Sequence, residues 1–210
     1  MILVKFVKSY PASYMANMDM ARSVMRTFRR AGIPVNMSNG FNKHMNVNFT
    51  PPLPISVESE AEYMSVDTSM SASEFLDRYN ACCHPALVAV EGLDCETNPN
   101  PAAKVYSSLY RVRGLDGYNA TFVKQIEDSE EFFVKSSKGD SLKEVKSLIL
   151  DAYVDGEDLM LLLRSGNTTL RVDKVLEALT SGMEDTPDYT IIRLEQFTEN
   201  KLPLLEIARV

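Results

Sequence analysis

The chain has 210 residues, 45% of them apolar and 24% charged, with a formal net charge of −7. It is long enough for one large domain or two small ones, and its composition is that of a folded protein, not a disordered one. No apolar run approaches the roughly eighteen residues of a membrane span, and three cysteines make no disulfide framework. Together with a lysine-punctuated N-terminus, this points to a reducing cytoplasm.

Period-two alternation in ILVKFVK places Ile2, Val4 and Phe6 on one face of a first strand. From about Asn17 to Ala31, Ala21, Val24, Met25 and Phe28 fall at i, i+3, i+4 and i+7, the apolar stripe of a helix that Gly32 and Pro34 end. Arg22, Arg26, Arg29 and Arg30 lie off that stripe and should face water. Residues 46–49 and 60–67 alternate as strands. The second has a phase slip at Tyr63–Met64, the mark of a bulge or of a change in which face is covered. Pro51, Pro52 and Pro54 cannot donate to a ladder, so an edge or an irregular loop should join these strands. Ser71 stands three residues before Glu74, a capping box that opens a helix to about Cys83 and buries Phe75, Leu76 and Tyr79. Residues 85–94 read as a strand.

Residues 97–104, rich in Asn and Pro, read as a linker, after which the same order returns. Residues 105–112 form a strand candidate. A short helix capped by Asp116 follows, with Phe122, Val123 and Ile126 apolar, and then a strand at 130–136. Residues 147–154 and 158–164 flank the turn Asp155–Gly156–Glu157 as a hairpin. Val172, Val175, Leu176 and Leu179 mark another helix, and residues 189–197 a last strand. The expected fold is α+β: tandem ferredoxin-like βαββαβ units with antiparallel sheets, over residues 1–96 and 104–210.

Charge is unevenly spread. Residues 1–50 hold Lys5, Lys8, Arg22, Arg26, Arg29, Arg30 and Lys43 against Asp19 alone, a local balance of +6, while the remaining 160 residues carry −13. An anion-facing surface at the N-terminal end follows, or a solvated helix face. Neither G-x-x-x-x-G-K-[ST] nor G-x-G-x-x-G occurs. Adjacent Cys82, Cys83 and His84 lack the spacing of zinc ligands and read as a helix end. The turn 39–44 is richer: Asn39–Gly40 permits a left-handed backbone, Phe41 can stack on a ring, Asn42 donates and accepts, and Lys43 with His44 can meet an anion; the competing reading is that Phe41 plugs the core and the prolines stiffen a crossover.

The run MDMARSVMRTFRRAGIPVNMSNGFNKHMNVNFTPPLPISVESEAEY is similar to the N-terminal signature of the radical SAM-linked protein family. That is a bacterial domain encoded beside, or fused behind, a radical S-adenosylmethionine protein with a cobalamin-binding-like region. The RRAG-P helix end, the S-x-G-F-N turn, the F-x-PPLP-x-x-VESEAEY run and the later YRV carry the likeness. The matching positions are Arg29, Arg30, Gly32, Gly40, Phe41, Asn42, His44, Pro51, Pro52, Pro54, Glu58 and Glu62. The pattern commonly has His where Asn17 stands, and proline where Lys43 and Met45 stand. The resemblance implies an accessory module that binds the radical SAM protein or presents its substrate. It implies no cofactor in this chain, which lacks the cluster cysteines.

The expected binding surface comprises Arg22, Arg26, Arg29, Arg30, Asn39, Gly40, Phe41, Asn42, Lys43, His44, Glu58 and Glu62. An alternative is RNA binding by the basic helix and the Gly-Phe-Asn loop. A third reading makes His44 a general acid or base partnered by Glu58 or Glu62.

Overall fold

The alternating N-terminal run forms strand β1, Ile2–Lys8, in a computed structural model that describes residues 1–136 and 141–209. Ile2, Val4 and Phe6 pack beneath helix α1, Asn17–Arg30, against its buried Met20, Val24 and Phe28. Strands β2 (Val47–Phe49) and β3 (Glu58–Val66), helix α2 (Ala72–Asn80) and strand β4 (Ala89–Asp94) complete the first half. The strands lie in the order β4-β1-β3, with β2 also on β3, and all of these pairings are antiparallel. The Ser71 hydroxyl accepts from Glu74 N at 3.3 Å, as the capping box requires, though α2 stops short of Cys83.

Helix α3 (Pro101–Lys104) is a single turn within the segment read as a linker. There follow β5 (Ser107–Arg113), α4 (Asn119–Asp128), β6 (Phe133–Lys135), β7 (Leu142–Glu144), β8 (Ile149–Asp155), β9 (Asp158–Arg164), α5 (Val172–Thr180) and β10 (Thr190–Phe197). The order β10-β5-β9-β8 is again antiparallel, while β6 and β7 pair only with each other. Asp116 does not cap α4: the cap is Tyr118, without a side-chain bond. Gly117, at φ +82°, turns the chain after Asp116, so the helix begins later than the sequence implies.

Two parallel register pairs, Ile192↔Glu58 and Arg193↔Ser59, fuse the halves into one eight-stranded, mostly antiparallel sheet. The fold is α+β. Alternation shows that the helices of both halves share one face. Phe6, Met64 and Val66 point to the core under α1 and α2, whereas Tyr110, Val112 and Ile191 point to the core around α4 and α5. Glu62, in phase with Met64, meets Arg193, in phase with Ile191, so both cores lie on one side. On the other side Leu3, Ala61 and Tyr63 are covered by Val105, Leu204 and Leu205.

The phase slip in β3 has its reason here. Register to β1 runs unbroken from Phe6↔Glu62 to Ile2↔Val66, and the irregularity falls between Phe6 and Lys8. From Ala61 onward both faces of β3 are buried, so alternation of polarity is lost without a bulge at Tyr63–Met64. No helix among the described residues is long and apolar enough to cross a membrane.

Close backbone packing supports the sheet end. Gly166 sits at φ +88°, where an added Cβ would lie 2.3 Å from the Val105 carbonyl oxygen. Gly166→Ala is expected to lower unfolding free energy by at least about 1–3 kcal/mol from backbone strain, with the clash adding to it. Chemical denaturation of the purified chain measures this.

Candidate functional site

The segment after α1 folds back on itself before entering β2. Met37 and Met45 form an antiparallel bridge, and Ser38 N donates to His44 O at 2.7 Å. His44 closes the loop again: its N donates to Ser38 Oγ at 3.1 Å, and its Nδ1 lies 2.9 Å from the same hydroxyl. Asn36 and Asn46 anchor the base to Asp67 through side-chain amides, at 2.9 and 3.3 Å. Gly40 takes φ +155°, a backbone setting that residues with a Cβ rarely adopt, and nothing lies within 4 Å of its Cβ position. Backbone shape, not crowding, calls for glycine there. Asn39, Asn42 and Lys43 are exposed, and the Phe41 ring is 103% exposed at the tip.

Arg22, Arg26, Arg29 and Arg30 are exposed on α1, as the stripe requires. Arg22 pairs with Asp19 at 3.2 Å, and Arg30 donates to Thr27 Oγ1 at 2.9 Å and Cys82 O at 3.0 Å. Arg26 and Arg29 have no carboxylate partner among the described residues. Val47 and Ile2 both pair with Val66, so β2 starts at the end of the sheet where β1 starts. The Arg30 bond to Cys82 O instead ties the end of α1 to the segment before β4, where the Ala86 and Val88 carbonyls accept from Ser9 N and Val7 N at the far end of β1, away from the Phe41 loop. Lys5 and Lys8 are turned inward, so the exposed balance of residues 1–50 is +4, not +6.

Glu58 and Glu62 lie elsewhere. The Glu58 carboxylate accepts from Tyr10 N at 3.1 Å, at the opposite end of β3 from Asp67. Glu62 is buried and ion-paired with Arg193, so it belongs to the interior and not to the exposed surface expected of it. Neither glutamate bonds to His44, whose ring nitrogen is occupied by Ser38 and the Asn42 carbonyl. Of the twelve sequence candidates, the structure gathers the six loop residues, ties Arg30 to Cys82 instead, and separates both glutamates from the loop.

Sequence reading passed over a polar row at the seam. Lys8 pairs with Ser59, Ser59 with Arg193, and Arg193 with Tyr110, across β1, β3, β10 and β5. Arg193 donates to Ser59 Oγ at 3.4 Å and to Glu62, and Tyr110 stands opposite it in the register. Burial opposes its charge, yet Glu62 and Tyr110 hold its pKa above the ordinary value. A signal existed: Lys8 stands in phase with Ile2, Val4 and Phe6, and Arg193 in phase with Ile191, so both cations sit where apolar residues belong. On the other face Glu195 takes Lys5 Nζ and the Tyr63 hydroxyl, each at 2.6 Å. Burial, reinforced by the Glu195 charge, keeps that hydroxyl protonated far above its usual range.

Cys82 and Cys83 are half-buried just past α2, where Cys83 Sγ lies 3.8 Å from the Asn80 carbonyl oxygen, and His84 Nδ1 accepts from Ala86 N at 3.1 Å. A cleft of about 820 Å³ opens at another edge, where the Arg164 guanidinium stacks 3.4 Å from the Tyr106 ring centre.

The family described as "Uncharacterized protein conserved in bacteria (DUF2344)" matches residues 1–172. The chain belongs to that family. The match takes in the whole of the Phe41 loop, α1 and the strands through β9, and ends at the first residue of α5. No curated protein matches the chain. Among solved structures, a chain in one titled "Crystal Structure of a Cbf5-Nop10-Gar1 Complex" aligns over 94% of this chain at 8% identity and TM-score 0.46. This chain spans 50% of that chain's length.

Removing one member of a buried ion pair strands the other. Glu62→Ala is expected to cost about 3–5 kcal/mol of stability, whereas Glu62→Leu combined with Arg193→Met should cost far less than the single changes together. Equilibrium unfolding of Glu62→Leu, Arg193→Met and the double variant gives the coupling.

Proposed function

We propose that the chain acts as a docking module for a partner protein, and that the partner is a radical SAM protein. The observation that carries the docking reading is the Phe41 ring, 103% exposed on a loop closed by the Met37↔Met45 bridge and by His44–Ser38 bonds. Burying a phenyl ring is worth roughly 1.5–3 kcal/mol, so a ring held out in water on an ordered loop is poised for burial by something else. Arg26 and Arg29, both exposed on α1, add a second, cationic contact surface. The likeness of the N-terminal signature to the radical SAM-linked family supplies the partner's identity. Any radical chemistry belongs to that partner, and this chain binds it or presents its substrate.

Co-purification with a radical SAM protein tests the reading. The wild-type pair should co-elute. Phe41→Ala should weaken the complex by about 2 kcal/mol, or roughly thirtyfold, with its own melting temperature unchanged. Two separate elution peaks for the wild-type proteins, or undiminished binding by Phe41→Ala, would defeat it.

A second reading is favoured by the arginines without carboxylate partners: single-stranded RNA held by α1, with a base stacked on Phe41. Its affinity should fall steeply as salt rises. The combined Arg26→Ala, Arg29→Ala and Arg30→Ala changes should reduce the salt slope by about 1 for each phosphate that the arginines no longer neutralise. Filter binding to an RNA pool measures both, and a salt-independent or unaltered signal would remove RNA.

A further inference from the structure

The cleft of about 820 Å³ lies at the end of the sheet where β5 starts and β9 and β10 stop, since Ser107 pairs with both Arg164 and Phe197. Its floor is Tyr106, whose backbone is held from two sides. Tyr106 N donates to Phe197 O at 2.8 Å, and the Tyr106 carbonyl accepts from Ser165 N at 2.8 Å. One wall is the turn 198–202, closed by Thr198 N on Leu202 O at 2.9 Å, with Lys201 at φ +60°. Another is the segment 97–99 that leads into α3, where Asn98 Oδ1 accepts from Asn100 N at 3.0 Å.

On that floor the half-buried Arg164 guanidinium lies 3.4 Å from the Tyr106 ring centre, and its Nη1 donates to the Tyr106 carbonyl at 3.4 Å. Stacking uses the flat face of the cation and leaves most of its N–H edge free to meet an acceptor. Arg111, Arg113, Arg171, Arg193 and Arg209 each have a carboxylate within 4.0 Å. Among the described residues Arg164 has none, and it alone of the six arginines beyond residue 97 lines this cleft. Glu206, on the cleft wall, is already taken by Arg209 at 2.9 Å. Lys104, exposed at the same cleft, also forms no ion pair among the described residues. Two cations there face one unpaired acid, Glu199.

We propose that this cleft binds a small polyhydroxylated molecule through one oxyanion, a phosphoryl or carboxylate group gripped by Arg164. The guanidinium is fixed on Tyr106 before the ligand arrives, so little side-chain freedom is lost on binding. Asn98, Asn167, Thr198 and Asn200 line the cleft with amide and hydroxyl groups, which both donate to and accept from ligand hydroxyls. The volume is that of a small-molecule site, and no residue of the Phe41 loop takes part in it.

Isothermal titration of the full chain with glucose-6-phosphate, glucuronate and glucose tests the site. Saturable binding of one or both anions is expected, with glucose at least tenfold weaker. Whichever anion binds more tightly tells a phosphoryl from a carboxylate source. Arg164→Lys keeps the charge but loses the fork and the flat stack, and should weaken binding at least tenfold. Asn200→Asp places a carboxylate on the exposed turn of the cleft wall and should weaken both anions. That second variant keeps the test open where Arg164→Lys disturbs the fold, which its melting temperature reports. Three results would overturn the proposal: no saturable binding of either anion, glucose binding as tightly as the anions, or wild-type affinity in folded Arg164→Lys or in Asn200→Asp. Phe41→Ala should bind the anions like wild type, so failure of the docking reading and failure of this site are separable.

Discussion

The molecule depends on how two half-sheets are joined along two register pairs, with Arg193 and Glu62 meeting inside the joint. A parallel contact that short supplies few ladder bonds, so side chains must reinforce it on both faces. On the helical face Arg193, Glu62, Ser59 and Tyr110 form the link, and the Gln196 amide donates to Thr50 Oγ1 at 3.1 Å and to the Ala61 carbonyl at 2.6 Å. On the opposite face Glu195 ties Lys5 to Tyr63. The seam is polar between two apolar cores, and polar groups specify geometry there: each bond has one partner and one direction, whereas an apolar seam could slide.

That constraint also sorts the surface from the interior. Two of the N-terminal basic residues and one of the expected binding glutamates are drawn into the seam, which leaves the exposed cations on α1 and on the Phe41 loop. The Phe41 loop needs nothing from the seam. Its shape comes from Ser38, His44, Asn36, Asn46 and Asp67, all at the end of the sheet where β1 and β2 begin. The molecule thus carries an outward-facing loop at one end and an inward-facing ion pair at the joint. Different interactions hold the two in place.

Much of the architecture was legible along the chain because it rests on short-range periodicity. The stripe Ala21–Val24–Phe28 and the alternation in β1 report local burial, and Ser71 with Glu74 reports a cap that closes within one turn. Where reading failed, two levels of structure competed. Asp116 has the chemistry of a cap, but Gly117 turns the chain before the helix can start. The slip in β3 looked like a bulge because burial of a second face erases polarity alternation just as a register shift does.

The sequence by itself determined the element order apart from α3 and β7, and the outward arginines of α1, since these follow from residue type and spacing within a few turns. Only the tertiary structure decided that Glu62 is an interior ion partner. That depends on β10 arriving beside β3 from more than a hundred residues downstream. No local pattern encodes which distant strand supplies the opposite charge, because electrostatic pairing is set by distance in space and not by separation along the chain.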